Sequence, residues 1–180
     1  MDLQEHYRAR FCEENVWHLC GVLPEASAQA YAVFISNAAR QVAIWRQRSA
    51  ESEDQPVVWD YHVVLLTRDD DNWQIFDADS RLAPPCAARE YLSASFILQP
   101  GAHAHFCPIF RLVPARQYRD TLCSDRSHML NADGSWQSPP PPWPCIGEGS
   151  NLMRFIEMGE SFIGQVHDIA SLRRWLDSNP

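Results

Sequence analysis

The stretch that decides the fold is residues 57–79, VVWDYHVVLLTRDDDNWQIFDAD. Its first part, 57–67, is rich in β-branched and aromatic residues and predicts one long strand. Four charged residues, Arg68 to Asp71, predict the turn, and residues 72–78 return as the partner strand. With a four-residue loop, Thr67 pairs with Asn72, and counting inward sets His62 opposite Asp77. A two-residue loop opposes His62 to Asp79, and a three-residue loop opposes it to Ala78. Directly opposed side chains share a face of the sheet and meet. The pattern Asp77-Ala78-Asp79 therefore offers an acid in two of the three registers. Asp77 is preferred because it lies in the strand proper.

Working outward, residues 12–23 (CEENVWHLCGVL) predict a helix stopped by Pro24, with Val16, Leu19, Cys20 and Leu23 at helical spacing. Strands are expected at 31–36 and 41–47, with a polar loop at 48–56. Beyond the hairpin the pattern predicts a helix over 87–96, a strand over 109–113 and a short helix over 115–122. An irregular region follows from Ser124 to Ser150, and helices over 151–158 and 168–177 close the chain. Helix, antiparallel strands and further helices in that order make an α+β fold with a meander-like sheet. At 180 residues a single domain spanning 1–180 is expected, long enough to bury a core without disulfides.

A formal net charge of −8 argues against nucleic acid as a partner, since such a surface must neutralise phosphates. An acidic surface suits cationic ligands instead, a free peptide amino terminus among them. No apolar run is long enough to span a membrane, and MDLQEHYRAR, residues 1–10, has no signal-like stretch. A cytoplasmic protein with six reduced cysteines is expected.

Cys12 stands at the start of the first predicted helix. Unpaired N–H groups and the positive dipole end stabilise a thiolate there, and the oxyanion of a tetrahedral intermediate as well. Glu13 and Glu14 oppose this with like charge. Cys20 falls among core positions. His62, held by an acid on one nitrogen, can take the thiol proton on the other. Asp60, two residues before His62 on one continuous strand, would share its face. Arg126 has a structural use in pairing with Asp125 or with one of the glutamates after Cys12. The stretch 103–107 (HAHFC) would point His103, His105 and Cys107 one way on a strand, but it lacks a fourth ligand, so no metal and no cofactor is expected.

The segments FCEENVW (11–17), YAVFISN (31–37), WDYHVVLL (59–66), FDADS (76–80), SDRSHM (124–129) and PPPPWPCI (139–146) resemble the protein N-terminal glutamine amidohydrolase family. The likeness runs from about residue 7 to about residue 160. It implies an α-β-α sandwich of papain/transglutaminase-like type with a mainly antiparallel sheet. It also implies deamidation of N-terminal glutamine, an activity that feeds the N-degron pathway in eukaryotes. The family's nucleophile, histidine and aspartate match Cys12, His62 and Asp77. Phe11 stands where the family has tyrosine, and residues 95–110 diverge. The implied partners are peptides or proteins with an unblocked N-terminal Gln, bound by a monomer that is cytoplasmic and, in a eukaryote, also nuclear. Glu13, Glu14, Asp60 and Asp125 are the candidates for holding the substrate α-ammonium. The alternatives are a transglutaminase or cysteine peptidase of the same class, or a non-catalytic reader of peptide ends.

Overall fold

A computed structural model describes residues 7–23, 29–69, 72–97, 104–159 and 161–179. The elements, in chain order, are α1 (Cys12–Gly21), β1 (Ala30–Ser36), β2 (Val42–Ile44), β3 (Val57–Trp59), β4 (His62–Asp69), β5 (Asn72–Phe76), β6 (Cys86–Ala87), α2 (Ala88–Ser95), β7 (Ile109–Pro114), α3 (Ala115–Thr121), α4 (Leu152–Ile156), β8 (Gln165–Asp168) and α5 (Ile169–Ser178). The fold is α+β, built on a six-stranded sheet in the order β6-β5-β4-β1-β7-β8, with β2 and β3 forming a separate pair. Every pairing is antiparallel.

Alternation along the central strands divides the core in two. Val33, Ile35, Val64, Leu66, Phe110 and Leu112 face one cluster, closed by Tyr91 and Leu92 of α2 and by Leu172 and Leu176 of α5. Ala32, Phe34, Val63, Leu65 and Val113 face the other, closed by α1, α3 and α4. On α1, Cys12, Val16 and Leu19 recur on one face, and this stripe docks the helix on β4. Arg111, 1% exposed, ties the α4 end to the sheet by donating to the carbonyls of Phe155, Glu157 and Ile163.

The structure changes four expectations. The long strand over 57–67 is two strands in different sheets. Asp60 Oδ1 accepts the Tyr61 N–H, and the Asp60 carbonyl accepts from Ser36 Oγ, so backbone groups that would extend a ladder are bonded to side chains instead. The hairpin register is also different. Asp69 pairs with Asn72, which is the two-residue-loop register, not the four-residue one. The α1 helix ends at Gly21, and Pro24, its expected stop, lies outside the described residues. Of HAHFC, His103 lies outside the described residues, and Ala104–Phe106 is a 3-10 turn, so no strand aligns the candidate ligands. The short strands β6 and β8 were not anticipated.

Candidate active site

Cys12 opens α1 on the sheet side and forms part of the wall of a cleft of about 680 Å³. Tyr7, Trp59, Asp60, Tyr61, Asp79 and His128 line the same cleft. Trp59 ends β3, and Asp60 and Tyr61 form the break before β4, so the interruption of the strand is what shapes this wall.

His62 begins β4 and is 1% exposed. Its Nε2 lies 2.9 Å from Asp77 Oδ1, and its Nδ1 is buried without a hydrogen-bond partner. The Trp59 ring stacks on the imidazole, with centroids 5.1 Å apart and planes at 21°. In the observed register His62 would oppose Asp79, but β5 ends at Phe76. The chain leaves the ladder there, and Asp77 reaches the imidazole from outside it.

Asp77 is held from four sides. Besides His62, it accepts from Tyr91 Oη at 2.8 Å, Gln47 Nε2 at 3.2 Å and the Asp79 N–H at 3.0 Å. Burial pushes its pKa up, but the charge and hydrogen bond of His62, with the hydrogen bonds of Tyr91 and Gln47, outweigh burial and hold it below the ordinary value. The converse applies to His62. Burial lowers its pKa, the Asp77 carboxylate raises it, and the net effect is upward. The Asp77 carboxylate therefore stabilises the imidazolium that forms when the ring takes a proton. Gln47 and Tyr91 were not anticipated. Tyr91 sits in a predicted helix, and a tyrosine on its core face needs a hydrogen-bond partner, which was the available signal.

Cys12 is raised well above its ordinary value by burial first, then by Glu13 and Asp79, against a lowering hydrogen bond from the Val63 backbone. Glu13 Oε2 is 3.8 Å from Cys12 Sγ and 3.1 Å from Tyr61 Oη, which donates to it. His128 Nε2 lies 3.3 Å from Glu13 Oε1. Glu14, also fully buried, accepts from Arg126 Nε at 2.7 Å, Arg126 Nη2 at 2.8 Å and Trp143 Nε1 at 2.7 Å. Asp125 is exposed and accepts from the Ser127 N–H in its own loop. Asp60 is exposed in the cleft wall. Cys20, on α1, packs against the second core cluster, and burial pushes its thiol up to about 12.

His62, Asp77 and Asp79 also offer ligand atoms within 4.8 Å of one another, the one such grouping of potential metal ligands among the described residues. Their contacts are already those of a hydrogen-bonded relay. Asp79 Oδ1 accepts from Tyr7 Oη at 2.6 Å, and both oxygens of Asp77 are engaged.

Residues 7–176 match the family model for N-terminal glutamine amidase, and the chain is a hydrolase. It is 41% identical over 161 residues to the human protein N-terminal glutamine amidohydrolase, covering 84% of this chain and 78% of the human one. The bovine protein of the same name is 40% identical over 84% of this chain and 77% of its own length, and that of Drosophila ananassae is 40% identical over 81% and 74%. The chain belongs to the protein N-terminal glutamine amidohydrolase family.

Proposed function

We propose that the chain deamidates the side chain of an N-terminal glutamine by a Cys12–His62–Asp77 triad acting through a thioester. The observation that carries the reading is the state of His62. One nitrogen is fixed on Asp77, and the other is buried and unpartnered at the start of the strand against which the Cys12 helix packs. In this reading His62 Nδ1 takes the thiol proton as Sγ attacks the glutamine Cδ. N–H groups in the first turn of α1 face the oxyanion. The intermediate collapses, His62 returns the proton to the departing ammonia, and a thioester remains. Water then attacks the thioester, loses a proton to His62, and releases the γ-carboxylate and the thiol. Asp77 keeps the imidazole in one orientation throughout.

The two-sided helical cover of the sheet supports an α-β-α sandwich of the papain/transglutaminase-like class. For the α-ammonium, Asp60 and Asp79 are favoured as the carboxylates in the cleft wall. The oxygens of Glu14 are occupied by Arg126 and Trp143, Asp125 is turned into its own loop, and Glu13 is fully buried behind Tyr61 and His128. The reading carries a cytoplasmic monomer acting on free chain ends. No described helix is long and apolar enough to cross a membrane.

The test is ammonia release, read by mass spectrometry, from peptides beginning with Gln, acetyl-Gln or Asn. Only the free Gln terminus should gain the mass of deamidation, and Cys12→Ala should abolish the gain. Equal turnover of internal glutamine, a cleaved peptide bond, or a cross-link to an added amine would each replace this reading with a rival.

A further inference from the structure

Glu13 poses a problem for any thiolate at Cys12. It is fully buried, and one of its oxygens lies 3.8 Å from Sγ. Asp77 and Asp79 also bear on the thiol with like charge. Once His62 has taken the thiol proton, its imidazolium balances only Asp77, the carboxylate on which it is held. Glu14, next along the helix, contributes no unbalanced charge, because Arg126 covers both its oxygens. Glu13 remains. A buried carboxylate without a cation would set a high cost on forming a second anion beside it.

The groups around Glu13 come from three parts of the chain. Cys12 is its neighbour on α1, Tyr61 comes from the β3–β4 break, and His128 comes from the 3-10 turn Ser127–Met129. Tyr61 Oη also sits 3.4 Å from His128 Nε2, so the three side chains close a triangle on Glu13. Besides Tyr61, the groups facing His128 are Glu13 and, at longer range, Glu14 of α1, Asp60 before β4 and Asp125 in its own loop. All four are acidic. The adjacent Arg126 is paired with Glu14. Tyrosine can only share a proton with Glu13, whereas His128 can bring a full positive charge.

We propose that His128, as imidazolium, is the counter-ion of Glu13 and thereby allows Cys12 to form its thiolate. His128 is then a positioning residue. It acts on the nucleophile through Glu13, from the cleft wall, without taking part in bond exchange. Burial disfavours its charged form, but the Glu13 carboxylate, 3.3 Å from its Nε2, outweighs burial, and its pKa is held above the ordinary imidazole value. The acid beside the nucleophile thus makes the thiolate conditional on a second histidine.

The inference rests on Cys12 as the nucleophile of the reading above, but its test does not need the glutamine substrate. The rate of Cys12 alkylation by iodoacetamide is followed against pH, with the modified peptide identified by mass spectrometry. In His128→Gln the midpoint should rise by about one pH unit, the scale of one nearby charge, and the rate at neutral pH should fall about tenfold. In the double variant Glu13→Gln/His128→Gln the midpoint should return to that of the wild type. A purely structural role for His128 gives no such rescue. An unmoved midpoint in the single variant, or a shift that persists in the double variant, overturns the proposal. Should His128→Gln not fold, the titration of the His128 ring is followed by NMR in the wild type and in Glu13→Gln. Its midpoint should fall in the variant, and an unmoved midpoint overturns the proposal. Loss of deamidation on Gln peptides with these shifts intact would sink the substrate reading alone.

Discussion

Glu13 and Glu14 are consecutive, equally buried and on the same helical turn, yet they occupy opposite electrostatic regimes. Glu14 is closed in. Arg126 grips it with two nitrogens and adds bonds to the carbonyls of Pro141, Trp143 and Pro144, while the Trp143 indole donates to the same carboxylate. Every partner there is permanently charged or never titrates. Among the described residues, the Glu13 carboxylate meets groups that exchange protons, namely Cys12, Tyr61 and His128. The difference teaches that one turn of helix can carry a structural anchor and a chemically responsive group one residue apart. Which is which depends on what the opposing loops bring.

The comparison breaks most visibly at Arg126. Arg126→Met leaves Glu14 buried without a cation, a loss of about 3–5 kcal/mol, read as a lower urea midpoint. Replacing Glu14 with an apolar residue in the same background should recover much of that loss. The next effect depends on pH. The folded-state pKa of His128 is raised, so its pairing contributes fully below the unfolded value near 6.5. The contribution is lost as pH rises through the raised folded value. The melting-temperature difference between wild type and His128→Gln should therefore be larger at pH 6 than at pH 9. The corresponding difference for Arg126→Met should not change across that range, because arginine keeps its charge. The smallest effect belongs to Tyr61→Phe. It removes one hydrogen bond to Glu13, a stability change of about 0.5–1.5 kcal/mol, while kcat/KM should fall by at most roughly tenfold.

Much of this arrangement was legible in the sequence. Cys12 at a helix start, and His62 beside an acid that follows the partner strand, came from hydrophobic spacing and one hairpin. The hairpin count reached Asp77 through a register the protein does not use. Charged Arg68 and Asp69 look like turn residues, yet both pair in the ladder at its exposed end, where solvent tolerates them. Asp77 still meets His62 because β5 stops at Phe76, and no strand count anticipates where a chain leaves a sheet. The break at Asp60–Tyr61 was hidden for a related reason. Residues of high strand propensity flank it, and the ladder is interrupted by side-chain bonds, one from Asp60 to its neighbour Tyr61 and one from the distant Ser36. The partner of Glu14 was among the open possibilities for Arg126. The segment 139–146 gave no sign that the carbonyls of Pro141, Trp143 and Pro144 would enclose that guanidinium.

The stack of Trp59 on His62 gives the site an optical consequence. An indole face attracts a cation more than a neutral ring, so the contact tightens when the imidazole gains its proton. Trp59 is thereby coupled to the charge state of the imidazole it covers. Its emission, isolated by comparison with Trp59→Phe, would follow protonation at His62 without any added label.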